Sequence, residues 1–207
     1  MAGLTLAARL CQQGRAPVIV ERASSIEGGY SLGLYPLGSC VLHGLNTYER
    51  LVERAIPLKR YELASGSGRV LQAFDLSILT GAGGPLLMIS RSDLVRLLEA
   101  SCTDADLRRG VIVSSLVQYP DAAEVSFDNG TIERFDVVFG STASARQTGS
   151  GFSAGQQGTT QVGCCGLGGP TLNGSSPPNV AREWWGAGRL FGAYPVPGQV
   201  MCAAGAY

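Results

Sequence analysis

The feature that most constrains the fold is a helix followed at once by a short apolar strand near the start of the chain. Apolar residues recur at helical spacing up to Gly14, a typical C-terminal stop; they are Leu4, Ala7, Ala8 and Cys11. Residues 17–21, Pro-Val-Ile-Val-Glu, form a continuous apolar run that ends in an acid, which indicates a strand buried in a parallel sheet. A helix leading into such a strand is the second half of a βαβ unit, so the sequence predicts an α/β fold.

Gly3 and Glu21 have the spacing of two residues that hold a dinucleotide. In such folds the last glycine of G-x-G-x-x-G lets helix and strand pack closely, and an acid at the end of the second strand accepts hydrogen bonds from the adenosine ribose. Glu21 follows Gly3 by eighteen residues, which fits this arrangement. Because the same spacing arises by chance in other helix–strand units, a purely structural interpretation of these two residues stays equally open.

The middle of the chain predicts a loop, a hairpin and a capped helix. Residues 28–44 are rich in glycine and aromatic residues and indicate a loop that leads into a short helix near residues 39–45. Residues 61–64 and 69–75 flank Ser-Gly-Ser-Gly, as in a β-hairpin. Ser90 and Asp93 form a capping box, and the helix that follows has an apolar stripe of Leu94, Leu97, Leu98 and Cys102.

The second half of the chain predicts mainly strands, interrupted by one compositionally biased segment. Residues 111–118, 124–127 and 131–138 indicate an antiparallel meander whose last turn is Asp128-Asn129-Gly130. Residues 140–179 are dominated by Gly, Ser, Thr, Gln and Pro, so any order there depends on packing against other parts of the protein. Order is expected to resume at residues 183–185, followed by strands at 190–194 and 199–202.

Charge and composition exclude several classes of partner. Sixteen basic residues balance sixteen acidic ones, so no cationic surface is expected to attract nucleic acid or anionic lipid. The longest apolar runs are far shorter than the roughly 20 residues that cross a bilayer. With no secretory signal at the N-terminus, we expect a soluble protein of the cytoplasm. The six cysteines form no pattern with His43 that suggests a metal site, so we expect buried reduced thiols and no metal.

Several segments, in their order and spacing, resemble the class A flavoprotein monooxygenases of the aromatic-hydroxylase type. They are residues 3–10 with 18–22, Ser90-Arg91-Ser92-Asp93-Leu94, Phe127-Asp128-Asn129-Gly130, Asp136-Val137-Val138-Phe139-Gly140 and Gly192-Ala193-Tyr194-Pro195-Val196. The third resembles that family's F-x-D/N-G turn, and the fourth resembles the strand that leads to its second flavin motif. The last resembles a strand of its substrate domain. The similarity touches most of residues 3–140 and a patch near 184–202.

The resemblance implies a Rossmann-like FAD-binding domain of the glutathione-reductase type with inserted antiparallel β strands, joined to a partial α+β substrate domain. Residues 1–60 and 86–146 would form the FAD-binding domain, and residues 61–85 and 147–207 the partial substrate-binding domain. Glu21 would bind the ribose hydroxyls, Arg22 would lie near the adenosine, Arg91 would reach the FAD pyrophosphate, and Gly3 and Gly140 would complete the cofactor site. An arginine in the first turn of a helix also adds positive charge to the dipole end there. The alternatives, solvated charges at Arg91 and Arg22, stay open.

The sequence departs from the family pattern in three places. Of the glycine turn that holds the pyrophosphate, only Gly3 is present, and a first strand before it is missing. After Gly140 the family has Ala-Asp-Gly, whereas this chain has Ser141-Thr142-Ala143; Ser144 and Arg146 keep roughly the expected order. No Gly-Asp dipeptide occurs, so the later motif that binds the ribityl chain is absent. The resemblance therefore implies a protein truncated at both ends, with an open sheet edge and an exposed apolar flank.

Three functions follow as hypotheses. The first is an FAD-dependent monooxygenase that uses NAD(P)H as co-substrate and hydroxylates a small aromatic or polyketide-like molecule; no side chain is singled out as catalytic, because the cofactor carries the chemistry. The second is another flavoprotein on the same scaffold, such as a dehydrogenase, reductase or halogenase. The third is a non-catalytic remnant that survives as a binding module. The oligomeric state has no signal in the sequence.

Overall fold

The computed structural model describes residues 1–26, 29–79, 84–141, 164–167 and 177–206. In these ranges the helices are α1 (Ala2–Gln12), α2 (Pro36–Gly44), α3 (Tyr48–Glu53) and α4 (Arg91–Glu99). The strands are β1 (Val18–Glu21), β2 (Ser31–Leu34), β3 (Ile56–Pro57), β4 (Arg60–Ser65), β5 (Val70–Asp75), β6 (Leu87–Ser90), β7 (Asp106–Arg109), β8 (Val113–Gln118), β9 (Ala123–Phe127), β10 (Ile132–Phe135), β11 (Cys164–Leu167), β12 (Val180–Gly186), β13 (Arg189–Val196) and β14 (Gln199–Ala206).

The chain divides into two compact units. Of the described residues, 1–26 and 98–141 belong to the first unit, and 29–79, 84–97, 164–167 and 177–206 belong to the second. These limits differ from those of the domains predicted above, and the functional assignment of those domains stays a prediction.

The first unit begins with the predicted helix and strand. α1 buries its predicted stripe of Leu4, Ala7, Ala8 and Cys11, and Gly14 follows the helix at a φ of 73°, a left-handed conformation that favours glycine. β1 pairs in parallel with β7, as a βαβ half requires. The strand was expected to be buried, but Val18 to Val20 are half-buried, and within the described ranges β7 is the one strand that pairs with β1.

The predicted meander is present in the first unit as the antiparallel sheet β8, β9 and β10. Its last turn has the predicted chemistry: Gly130 has a φ of 83°, and Asn129 Oδ1 accepts the Thr131 N–H at 3.0 Å. The strand expected at residues 136–140 was wrong, because β10 ends at Phe135 and nothing in the described ranges forms a ladder with the residues that follow. Val137 and Phe139 are 63% and 66% exposed there.

The second unit is built on a six-stranded sheet in the order β11-β14-β13-β12-β4-β5. β4 and β5 form the predicted hairpin, and β12 to β14 are the strands expected near the C-terminus. β12 pairs with β4 in parallel, and the other neighbours in this sheet are antiparallel. The parallel pair joins residues 60–65 to residues 180–185, so it connects two segments of the second unit that lie far apart in the sequence.

A three-stranded sheet, in the order β2-β6-β3, supplies the other part of the second unit. β6 is its central strand and is buried along its whole length. Its Met88 packs with Leu58, Leu86 and Ala181 in a core cluster that connects β6 to β12 of the large sheet. β2 lies where the sequence predicted only loop, and the short helix expected after it is α2, which starts at Pro36, a residue suited to the first helical position.

The four cysteines whose side chains the structure describes are free thiols, but not all are buried as predicted. Cys11 is buried, Cys102 and Cys202 are half-buried, and Cys40 is exposed, because it lies on the outer face of the amphipathic α2. Burial raises the pKa of the Cys102 thiol to about 11. The side chains of Cys164 and Cys165 lie outside the described part of the chain.

None of the helices in the described ranges is both long enough and apolar enough to cross a membrane.

The capping box predicted at the start of α4 gives the first testable prediction. Ser90 Oγ accepts the Asp93 N–H at 3.0 Å and donates to Asp93 Oδ2 at 2.5 Å. We expect Ser90→Ala to lower the free energy of unfolding by about 1 kcal/mol, the usual cost of losing such a cap. Urea unfolding followed by the fluorescence of Trp184 and Trp185, both in the second unit, measures the change. Ser67→Ala, in the exposed hairpin turn of the same unit, is the control and should change stability by less than about 0.5 kcal/mol; equal effects of the two variants would contradict the prediction.

Candidate functional site

The start of α1 is closely approached by the residue that follows Gly140. A Cβ atom on Gly3 would stand 2.5 Å from Ser141 Oγ and 3.4 Å from Ser141 Cβ. The first of these distances is a steric overlap, so a glycine is required at position 3 unless Ser141 moves. The structure therefore brings the predicted residues Gly3 and Gly140 to one place, with Ser141 as the contact between them.

The N-terminal end of α1 has unpaired backbone donors and no side chain that neutralises them. The first N–H bonded within the helix is that of Thr5, which donates to the Met1 carbonyl at 3.0 Å, so the N–H groups before it lack intrahelical partners. The helix has no side-chain cap and no acidic residue in its first turn. Such an end attracts an anion, and phosphate groups are the usual ligands.

Glu21 and Arg22 lie at the end of β1 and are exposed. Glu21 Oε1 accepts the Ala23 N–H at 3.0 Å, which fixes the turn after the strand and leaves Oε2 without a partner among the described residues. The neighbour of Glu21 in the parallel ladder is Arg109, whose guanidinium pairs with Glu99. Glu21 is therefore a carboxylate with an acceptor directed to solvent. Because α1 contacts β1 and only a short loop joins them, the chain must reverse between the two, so we infer that the start of the helix and the end of the strand lie on the same side of the first unit.

Arg91 lies in the second unit, as the first residue of α4. Its N–H donates to the Tyr30 carbonyl at 2.9 Å, and the loop before β2 packs against its side chain. Gly29 there has a φ of 129°, and a Cβ on it would stand 3.2 Å from Arg91 Cβ. Within the ranges that the structure describes, the Arg91 guanidinium forms no ion pair. The other predicted residues of the motif, Thr142, Ala143, Ser144 and Arg146, lie outside those ranges.

The second unit also contains a cavity of about 830 Å³ that the sequence did not predict. Its walls are the core cluster under β6 and one face of the six-stranded sheet. Aromatic side chains dominate the lining: Tyr30, Tyr35, Tyr61, Phe74 and Tyr194. The charged residues in its lining are Asp75 and Glu183, both acids. A large apolar cavity with a few convergent polar groups is typical of a small-molecule site.

Glu183 is the polar centre of this cavity. Its Oε1 accepts the Tyr194 hydroxyl at 2.5 Å, and its Oε2 accepts the Trp185 indole N–H at 2.9 Å. Burial, and after it the nearby Glu183 carboxylate, raise the pKa of Tyr61 above its ordinary value. Gly192, opposite Glu183 in the ladder, leaves the space for the Tyr194 ring, since a Cβ there would stand 2.6 Å from Tyr194 Cε2. No sequence signal connects residues 61, 183 and 194.

Comparisons with known proteins place the fold and the family. No protein-family model matches the chain. The 3-amino-4-hydroxybenzoate 2-monooxygenase of Streptomyces cremeus is 30% identical over 144 residues, which are 68% of this chain and 36% of that relative. The FAD-dependent monooxygenase paxM of Penicillium paxilli is 28% identical over 142 residues, which are 67% of this chain and 30% of that relative. The structure of HpxO from Klebsiella pneumoniae with FAD and uric acid matches over 98% of this chain and 53% of the HpxO chain, with a TM-score of 0.76 at 20% identity.

The fold is thus the FAD-binding α/β fold of flavoprotein monooxygenases. With the sequence matches, the predicted resemblance is confirmed: the chain belongs to the family of FAD-dependent monooxygenases. It spans about a third of the length of the curated relatives it matches and about half that of the solved structures.

The contact between Gly3 and Ser141 gives the second prediction. In a double-mutant cycle, Gly3→Ala should be more destabilising in the native background than in a Ser141→Gly background, because only the native serine overlaps the added methyl group. We expect a coupling free energy of about 1 kcal/mol, within the range for residues in direct contact. Urea unfolding followed by far-ultraviolet circular dichroism measures all four proteins. Additive effects within about 0.3 kcal/mol would show that Ser141 does not lie against the start of α1.

Proposed function

We propose that this chain holds FAD and lines the substrate cavity of a monooxygenase that hydroxylates a small aromatic or polyketide-like molecule with NAD(P)H as co-substrate. In this proposal residues 1–60 and 86–146 provide a Rossmann-like FAD-binding domain of the glutathione-reductase type, and residues 61–85 and 147–207 provide part of the substrate domain. The observation that carries it is the uncapped start of α1, approached by Ser141 at Gly3 and followed by an acid at the end of β1. A location in the cytoplasm remains part of the proposal.

The residues present fit FAD by their donors and acceptors. The unpaired N–H groups of the first turn of α1 suit a pyrophosphate, and the absence of a side chain at Gly3 keeps that end accessible. Glu21 Oε2 suits a ribose hydroxyl, and Arg22 is next to it at the adenosine end. Arg91 supplies a cation at a second helix start, suited to phosphate oxygens.

When bound, FAD supplies the redox chemistry, in which electrons come from NAD(P)H and one oxygen atom enters the substrate. This chain contributes positioning. The backbone of α1 and Glu21 hold the cofactor, and the aromatic walls of the cavity exclude water from the aromatic ligand. No side chain is assigned a catalytic role.

The non-catalytic alternative is favoured by one observation, the exposure of Val137 and Phe139 in the first unit. Exposed apolar side chains in a segment without a neighbouring strand are typical of a surface that binds another polypeptide. The two functions separate by flavin titration of the purified chain. Quenching of flavin fluorescence at stoichiometric FAD, followed by anaerobic bleaching with NADH or NADPH, supports the monooxygenase. Absence of any flavin binding rejects it.

Arg91 gives the third prediction. We expect Arg91→Ala to weaken FAD binding about tenfold, the loss of one charge-assisted hydrogen bond, and Arg91→Lys to recover part of that affinity. Flavin fluorescence titration gives the dissociation constants. Arg54→Ala, at an exposed arginine of the same unit, is the matched control and should leave the affinity unchanged. If Arg91→Ala binds FAD as tightly as the native chain, Arg91 does not contact the cofactor.

Glu21 gives the fourth prediction, which depends on the adenosine half of the cofactor. Glu21→Gln keeps an oxygen that accepts the Ala23 N–H but removes the negative charge. We expect it to weaken FAD binding about tenfold and to leave the binding of FMN, which lacks the adenosine, unchanged. Asp104→Asn, at an exposed position of the same unit, serves as the control. Equal losses for FAD and FMN would argue that Glu21 acts on the fold and not on the ribose.

A further inference from the structure

The charge of the cavity in the second unit is one-sided. Its lining includes the carboxylates of Asp75 and Glu183, and no Lys, Arg or His among the described residues. Nearby arginines are engaged elsewhere: Arg182 donates from Nε and Nη2 to Glu62 Oε2 at 2.8 and 2.6 Å, and Arg60 also pairs with Glu62. A carboxylate ligand would therefore meet the like charge of the half-buried Glu183, whereas Asp75 is exposed and lies opposite Arg60 in the ladder of β4 and β5.

The Glu183 carboxylate accepts hydrogen bonds and has none to donate. Two donors, from Tyr194 and Trp185, already bond to a carboxylate that has about four acceptor positions. The acceptor positions of the Glu183 carboxylate that these two donors leave open can accept a hydrogen bond from a ligand. A ligand that donates a hydrogen bond pairs with the open acceptor positions of Glu183. A ligand that only accepts leaves those positions unpaired, which costs affinity in a buried site.

The aromatic walls define the rest of the ligand. Tyr61 and Phe74 lie side by side on neighbouring strands, with ring centroids 6.1 Å apart, and Tyr30 and Tyr35 contribute to the same lining. A cavity of about 830 Å³ exceeds the needs of a single ring and suits a ligand of two or three fused rings.

We propose that this cavity selects a neutral or cationic fused-ring aromatic ligand that carries an O–H or N–H donor directed at Glu183, that it rejects aromatic carboxylates, and that Glu183 determines this specificity. The identity of this ligand as the substrate rests on the function proposed above; its binding to the cavity does not. Glu183 positions the donor-bearing end of the ligand and is not assigned a role in the redox step.

Three probes of nearly equal shape test the proposal on the purified chain without FAD. They are 2-naphthol, which donates a hydrogen bond, 2-methoxynaphthalene, in which a methyl group blocks that donor, and 2-naphthoate, which carries the rejected charge. Isothermal titration calorimetry should show that 2-naphthol binds about tenfold more tightly than 2-methoxynaphthalene, and that 2-naphthoate binds more weakly than both. Equal affinities, the tightest binding for 2-naphthoate, or no binding of 2-naphthol would overturn the proposal.

Variants assign the preference to Glu183. Glu183→Gln should reduce the ratio of the 2-naphthol to the 2-methoxynaphthalene affinity to about two and should relieve the rejection of 2-naphthoate. Glu53→Gln, at the exposed end of α3, should keep the native ratios. Tyr194→Phe removes one donor from Glu183 and should keep or increase the preference for 2-naphthol. If Glu183→Gln does not fold, the native protein and Tyr194→Phe still test the proposal with the same three probes. A loss of the preference for 2-naphthol in Tyr194→Phe would contradict the proposed role of Glu183.

The outcome is independent of the flavin titration. The native probe pattern without FAD binding would keep the ligand class and reject the monooxygenase function. FAD binding with preferred binding of 2-naphthoate would keep the function and reject the ligand class.

Discussion

The parallel pairing of β4 with β12 is the constraint on which the second unit depends. It joins Tyr61 to Ala181 and Glu62 to Arg182 across about 120 residues of chain, and the six-stranded sheet exists only because these two strands meet. Arg182 donates hydrogen bonds from two of its nitrogens to Glu62 Oε2, and Glu62 is only 7% exposed. Burying an ion pair adds little net stability, but a register shifted by one residue would separate the buried Glu62 carboxylate from Arg182 and leave it paired only with the exposed Arg60 of its own strand. The pair therefore fixes the register more than it strengthens the sheet.

The same register builds the cavity. Side chains alternate faces along a strand, so the residues that flank the Glu62–Arg182 pair point away from it: Tyr61 on β4 and Glu183 on β12. The opposite face of the sheet thus receives both the Tyr61 phenol and the Glu183 carboxylate. On one face Arg60 and Arg182 surround Glu62, whereas on the other face Glu183 has no Lys, Arg or His beside it in the described lining of the cavity. One strand pairing accounts both for the order of the unit and for the sign of its cavity.

Local chemistry made part of the structure predictable from the sequence. The apolar stripe of α1, the capping box at Ser90 and the Asp128-Asn129-Gly130 turn each depend on residues within a few positions of one another, and each formed as expected. β7 was missed because its four residues, Asp-Leu-Arg-Arg, lack the continuous apolar run that marked β1, and β6 was missed because it runs directly into α4; their partners β1 and β2 lie far away in sequence. The polar centre at Glu183 was missed for the same reason, since residues 61, 183 and 194 come together only through the sheet.

The residue that departs from the family pattern directly after Gly140, Ser141, is the one that contacts the start of α1 at Gly3. Where the family has Ala-Asp-Gly, this chain places a serine whose Oγ occupies the space beside the first turn of α1. A hydroxyl there is a neutral donor next to unpaired N–H groups, so it adds to their attraction for an anion without opposing it, as a carboxylate would. In the function proposed above, the acceptor for the nucleoside end of the cofactor is Glu21, the exposed carboxylate at the end of β1.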